Sequence, residues 1–167
     1  MSHLTKSKIK ILMVCLGNIC RSPTAEVVLR TQIKTAGLAD SINVDSAGTS
    51  FWHQGQAPDS RSIFAGTTRL YDLTPLRARQ VVMADFSEFD HILAMDTQNF
   101  NDLQALCPLE YQHKLQLLLD YGNTGWSEVP DPYNGGKDGF ELVLDLIESA
   151  CSDLLTSLIN VHKLQRL

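Results

Sequence analysis

The 167-residue chain has no apolar run long enough to span a bilayer. Residues 1–8 lack the apolar core of a signal peptide. Basic residues are in the minority: 14 Lys and Arg stand against 19 Asp and Glu, for a net charge of −5. No basic stripe offsets that balance, so a nucleic-acid partner is not expected. Lys6, Lys8 and Lys10 alternate at the start of the first apolar run and read as a solvated edge. No His/Cys spacing resembles a zinc site, so neither metal nor cofactor is expected. Repeats, low-complexity tracts and linkers are missing too. With 44% hydrophobic and 20% charged residues, the composition is that of one globular domain over residues 1–167, with no membrane partner.

What is there centres on Cys15 to Pro23, reading Cys-Leu-Gly-Asn-Ile-Cys-Arg-Ser-Pro. Upstream, Ile9, Ile11, Leu12, Met13 and Val14 form an apolar run of buried-strand length. Downstream, Ser22 suits an N-cap and Pro23 a first helical position. Strand, tight loop and helix follow in order, which aims backbone N–H groups and a helix N-terminus at one spot. Such a spot binds anions. Arg21 adds a planar, permanently charged fork that suits phosphate. A cation and a helix N-terminus favour the thiolate form of a cysteine, and a thiolate under a bound phosphate is a nucleophile for phosphoryl transfer. Cys15 is thus the candidate nucleophile, and the N–H groups of Leu16, Gly17, Asn18, Ile19, Cys20 and Arg21 are candidate phosphate donors. Asn18, following Gly17, is a candidate for a left-handed backbone conformation.

The remaining elements alternate. A first helix is predicted over Ser22 to Ala36, ending at Gly37, and a short strand over Ile42 to Val44. Residues 46–53 read as a loop. A second helix starts at Pro58-Asp59-Ser60 and runs to about Leu70. A third strand covers Phe89 to Met95. Asp96 or Thr97 caps a helix through Leu106, and Leu115 to Leu119 is a fourth apolar run. Residues 120–139 are dense in Gly and Pro, and a loop of that length inside a compact domain is usually functional. A final helix opens with Asp138 and Glu141 in the spacing of a capping box. Apolar strands alternating with helices predict an α/β fold: a single domain with a four-stranded parallel sheet and helices on both faces. In such sheets ligands bind at the carboxyl ends of strands, where the Cys15 loop lies.

Cys-x5-Arg-Ser, with Val14, Gly17, Asn18 and Ser22, resembles the phosphate-binding loop of the low-molecular-weight protein tyrosine phosphatases. Ser-Ala-Gly-Thr, Ala-Arg-Gln and Asp-Pro-Tyr follow in the family's order, and the resemblance runs from Ile9 to about Leu158. It implies hydrolysis of protein phosphotyrosine, and of small aryl phosphates, through a cysteinyl-phosphate intermediate. By this resemblance Arg21 clamps the phosphoryl oxygens, and Ser22 donates to the cysteine sulfur, a role compatible with N-capping. Asp131 of Asp-Pro-Tyr is the implied general acid; alone, Asp-Pro would read as a turn. Asp120 is a rival acid, and Asp96 a supporting residue. Ser46 matches a member of the network that braces Asn18. Phe51, Trp52 and Tyr133 match aromatics that wall a deep cleft suited to a phosphorylated phenol, with Trp52 as a loop anchor the plainer alternative. His53 is a candidate for the rim.

Two positions depart from the pattern: Leu76 stands where many relatives place a network histidine, and Asn134 where they often carry a second tyrosine. Cys107 and Cys151 read as structural. Cys15 and Cys20 are close enough in sequence to form a reversible disulfide, Cys20 as a space-filler being the alternative. A loop holding two thiols needs a reducing compartment, so a cytoplasmic location is expected. Partners are tyrosine-phosphorylated proteins, and a monomer or weak dimer is expected. Two other readings stand beside this one. An arsenate reductase of related fold would need resolving cysteines. A phosphotyrosine-binding module without turnover would predict damage at Cys15 or Asp131.

Overall fold

The computed structural model describes residues 7–165; Lys6 lies outside them. Four parallel strands form one sheet in the order β2-β1-β3-β4. They are β1 (Ile9–Cys15), β2 (Ile42–Gly48), β3 (His91–Ala94) and β4 (Leu115–Leu117). Five α-helices connect and cover them: α1 (Arg21–Thr35), α2 (Ser60–Thr68), α3 (Met83–Glu88), α4 (Thr97–Leu106) and α5 (Lys137–His162). Short 3₁₀ segments at Leu109–Lys114 and Leu118–Asp120 flank β4. Among the described residues, no helix is long and apolar enough to cross a membrane.

The central strand explains the two-faced architecture. Ile11, Leu12, Met13 and Val14 are all fully buried, and successive side chains of a strand point to opposite faces. Ile11 and Met13 join a core with Val28 and Leu29 of α1 and with Val143, Ile147 and Cys151 of α5. Leu12 and Val14 join a second core with Phe86 of α3, Phe89 and Leu103 of α4. A strand buried on both faces reads as a continuous apolar run, as this one does.

The chain leaves β1 for β2 on one side, then crosses to β3 on the other. This reversal opens a crevice at the carboxyl ends of β1 and β3, where Cys15 and Asp96 sit.

Several boundaries differ from the sequence reading. Strand β2 continues to Gly48 rather than stopping at Val44, and Ser46, Ala47 and Gly48 pair with Met13, Val14 and Cys15. At Gly48 the lack of a side chain is a packing requirement, because a Cβ there would stand 2.7 Å from the Leu16 carbonyl oxygen. Ser22 is not the N-cap of α1. The helix begins one residue earlier, behind Cys20, and the Ser22 hydroxyl is drawn to the Cys15 sulfur instead. The capping box of α5 does not form: the helix starts behind Gly136, which has no side chain to cap with, and Glu141 pairs with Arg69, the residue just after α2. Helix α3 went unseen in the sequence; it is six residues long and amounts to little more than one hydrogen-bonded turn and a half. Asp59 and Asp96 do cap α2 and α4, accepting from the N–H groups of Arg61 and Asn99. Gly37 ends α1 with a φ of 72°.

Ile147 is fully enclosed between α5 and the sheet. Ile147→Ala is expected to destabilise the fold by about 2–5 kcal/mol, the usual cost of a large-to-small change in a core. Urea unfolding followed by circular dichroism measures it, and the midpoint should fall without a change in slope.

Candidate active site

Strand β1 ends at Cys15, and the chain turns through Leu16 to Cys20 before α1 begins. The turn is possible because Asn18 adopts a φ of 56°, a left-handed conformation that Asn tolerates better than most residues. Holding a non-glycine residue there costs on the order of 1–3 kcal/mol and needs support from its surroundings. The support is complete. Asn18 Nδ2 donates to Ser22 Oγ at 2.8 Å and to Ser46 Oγ at 3.0 Å, while Asn18 Oδ1 accepts the Arg79 backbone N–H at 3.0 Å. Ser46 Oγ donates a hydrogen bond to the buried Glu26 carboxylate at 2.6 Å, and Arg30 pairs with Glu26 from the other side. Burial pushes the Glu26 carboxyl above its ordinary range, against the opposing pull of Ser46 and Arg30.

This network has a direction. Asn18 fills a lone pair of the Ser22 oxygen, and the Ser22 hydroxyl faces two acceptors, the Cys15 sulfur and the Ala47 carbonyl at 3.4 Å. Ser22 Oγ lies 3.0 Å from Cys15 Sγ, and the Asn18 N–H approaches the same sulfur at 3.3 Å. The Asn18 N–H donor and the Ser22 hydroxyl both face the candidate nucleophile, a setting that suits sulfur carrying negative charge.

Arg21 is 2% exposed. Its Nη1 donates to Asp96 Oδ2 at 2.6 Å and to the Val129 carbonyl at 3.0 Å, and its Nη2 lies 3.6 Å from Asp131 Oδ2. Burial opposes the charged form; the Cys15 sulfur, Asp96 and Asp131 outweigh it and hold the guanidinium above its ordinary value. Asp131 is half exposed, and one of its oxygens accepts the Tyr133 N–H at 3.0 Å.

These parts surround a cavity of about 270 Å³. Cys15, Leu16, Gly17, Ile19, Cys20 and Arg21 form its floor, Trp52 and His53 one wall, and Asp131, Tyr133 and Asn134 the other. Trp52 is 66% exposed, so it is a rim residue rather than a buried loop anchor. Of the remaining expected site residues, Asn18, Ser22 and Ser46 stand behind the loop, as braces and not as lining. Asp120 closes the 3₁₀ turn after β4 and does not line the cavity, and neither does Phe51.

The same arrangement is found in proteins of known class. A family model described as low molecular weight phosphotyrosine protein phosphatase matches residues 10–164. The chain belongs to that family. A Synechocystis protein assigned to it is 52% identical over 151 residues, covering 89% of this chain and 96% of its own. The Streptomyces coelicolor low molecular weight protein-tyrosine-phosphatase is 40% identical over 152 residues, 89% of this chain and 92% of its own. A crystal structure of an Entamoeba histolytica protein tyrosine phosphatase, with Hepes in the active site, superposes with a TM-score of 0.89 at 43% identity. That match covers 94% of this chain and all of the other. YfkJ from Bacillus subtilis superposes with a TM-score of 0.88 at 38% identity, over 95% of this chain and 98% of its own. The chain is accordingly a protein-tyrosine phosphatase, a hydrolase acting on phosphotyrosine, and the arsenate reductase reading is not favoured. Its remaining thiols agree: Cys107 and Cys151 are buried, and burial raises both above the ordinary thiol value.

Three contributors to this phosphatase's site escaped sequence reasoning. The backbone N–H of Arg79 and the Val129 carbonyl carry no motif, because a main-chain group looks alike in every residue, and Glu26–Arg30 is an i,i+4 pair of a kind common on any helix. Leu76, where relatives place histidine, leaves no gap around Asn18, since Arg79, Ser22 and Ser46 use every hydrogen-bonding position of the side-chain amide that faces them. Asn18→Ala removes these bonds and is expected to lower kcat/KM by about one to two orders of magnitude, matching the strain they hold. Leu76→His is expected to leave kcat/KM within about twofold, as for most half-exposed substitutions. Para-nitrophenyl phosphate turnover by both variants is the measurement.

Proposed function

We propose that Cys15, Arg21 and Asp131 carry the reaction. Cys15 Sγ attacks phosphorus in line with the aryl oxygen, forming an S–P bond as the P–O bond breaks. Asp131 gives its proton to the departing phenolate. Water then attacks the cysteinyl phosphate, Asp131 takes the proton of that water, and the S–P bond breaks to return the thiolate and release inorganic phosphate. Arg21 and the loop N–H groups from Leu16 to Arg21, other than that of Asn18, hold the three non-bridging oxygens while charge spreads over them. Ser22 and the Asn18 N–H stabilise sulfur as nucleophile and as leaving group.

The observation that carries this reading is the position of Arg21. One guanidinium borders the candidate nucleophile and the candidate acid in the same cavity, with Asp131 Oδ2 3.6 Å from its Nη2. Asp96 fixes the opposite edge of the fork, so the remaining N–H groups are aimed at the phosphate position. Asp96 is thus a positioning residue. Trp52 and Tyr133 line the cavity with aromatic rings, which suits the ring of a phosphotyrosine side chain. Tyrosine-phosphorylated proteins are the proposed partners. All groups come from one chain, so a monomer or weak dimer suffices, and the need for reduced thiols fits the cytoplasm. A binding module without turnover would have no use for an intact nucleophile and acid together.

Cys15→Ser is expected to abolish turnover and keep inorganic phosphate binding, because the loop donors and Arg21 remain. Hydrolysis by a clean preparation of that variant, or loss of phosphate binding by calorimetry, overturns the nucleophile assignment. Asp131→Asn is expected to slow aryl phosphate cleavage by about 10²–10⁴-fold, the usual worth of general acid catalysis. The loss should shrink as the leaving phenol becomes more acidic; equal slowing across an aryl phosphate series counts against Asp131 as the acid.

A further inference from the structure

The loop that carries Asp131 has little regular structure, yet its place over Cys15 must be held. Between Gly122 and Gly136 the chain makes neither helix nor strand. Val129 ties the approach to Asp131 to Arg21 and Met95, and Tyr133 is the residue through which the far side is held. Its N–H fixes the Asp131 carboxylate at 3.0 Å, so the Tyr133 peptide sets where that carboxylate points. The carbonyl of the same residue accepts from Arg61 Nη2 at 2.8 Å.

Arg61 lies in the first turn of α2 and reaches out of that helix in three directions. Its Nε and Nη2 grip both oxygens of Asp59, at 3.0 and 2.9 Å. Its guanidinium stands 4.7 Å from the Phe140 ring centroid and 5.6 Å from that of Tyr133. An exposed arginine is ordinarily mobile and contributes little, but a bidentate carboxylate pair with aromatic faces is the exception. Asp59 in turn is fastened to the phosphate loop, because its N–H donates to the Ile19 carbonyl at 2.8 Å. A continuous path therefore runs from Ile19 through Asp59 and Arg61 to Tyr133 and Asp131.

We propose that Arg61 is a positioning residue that clamps the Asp131 loop to the phosphate loop and so sets the distance between acid and nucleophile. It touches neither substrate nor the reacting atoms, and it does not line the cavity over Cys15. The proposal rests on Asp131 being the general acid. Its chemistry needs arginine. Lysine can reach Asp59 or the Tyr133 carbonyl with one ammonium, but it cannot grip both carboxylate oxygens and the carbonyl from one planar group.

The test is kcat/KM over a series of aryl phosphates with leaving phenols of graded acidity, for wild type, Arg61→Ala, Arg61→Lys, Asp131→Asn and the double variant Arg61→Ala/Asp131→Asn. Arg61→Ala is expected to lose about tenfold on phenyl phosphate, within the range that a displacement of about 1 Å can cost. It should lose little on the most acidic phenol, so that the dependence on leaving group steepens. Arg61→Lys should fall between Arg61→Ala and wild type. Inhibition by inorganic phosphate should not change, since the phosphate loop is intact. In the Asp131→Asn background, Arg61→Ala should cost nothing further. If Asp131→Asn steepens the series and Arg61→Ala does not, or if the two losses multiply, the clamp is overturned and the acid stands. If Asp131→Asn leaves the dependence flat, the acid assignment fails and the clamp fails with it. A general loss of folding would weaken phosphate inhibition and slow every substrate alike, which also overturns the clamp.

Discussion

A buried guanidinium dictates where the rest of the site can be. Removing a charge from water is expensive unless fixed partners replace the lost hydration, and Arg21 is almost completely enclosed. Its partners come from three separate parts of the chain. Asp96 stands at the end of β3, the Val129 carbonyl and Asp131 belong to the long loop, and the Cys15 sulfur ends β1. Pairing Arg21 therefore pulls the crevice between β1 and β3 shut on one side and brings the 129–131 segment over it. The Val129 N–H completes the attachment by donating to the Met95 carbonyl at 2.8 Å. Stability and function depend on the same contacts here, because the groups that make burial of Arg21 tolerable are those that aim its free edge at phosphate.

The second constraint is the left-handed residue in the loop. Asn18 bends the chain so that successive N–H groups converge, and that geometry is useful only if it is rigid. From the Asn18 amide two rows of hydrogen bonds run outward, one through Ser22 to the Cys15 sulfur and one through Ser46 to Glu26. Such rows strengthen each member when every group is satisfied. Rigid positioning behind the loop and a more open rim in front make a consistent division. The floor is braced from behind, whereas Trp52 and Tyr133 stand exposed at the cavity's edge.

Much of this was legible in the sequence, for identifiable reasons. The run from Ile9 to Val14 announced a strand buried on both faces, and Asp59, Asp96 and Gly37 marked helix ends through local chemistry that needs no tertiary partner. Misreadings arose where a tertiary partner outbid a local preference. Ser22 is a sound N-cap by type, but a sulfur and an amide claim its hydroxyl. Glu141 has capping-box spacing, but Arg69 takes its carboxylate. Ser46, Ala47 and Gly48 look like loop residues because they are small, yet they belong to β2, and Gly48 lacks a side chain where that strand runs hard against the phosphate loop.

The sequence by itself determined the chemistry: a cysteine and an arginine at phosphate-loop spacing between a strand and a helix, an Asp-Pro-Tyr in a long loop, and alternating elements that put both at the carboxyl edge of a parallel sheet. These are properties of residue type and short-range order, which the chain states directly. Only the tertiary structure decided how the parts are held. The Arg79 N–H on Asn18, the Val129 carbonyl on Arg21 and the grip of Arg61 on the Tyr133 carbonyl join residues from 61 to 108 positions apart, two through main-chain acceptors and one through a main-chain donor. A main-chain group carries no residue identity, so its partner is chosen by the fold alone.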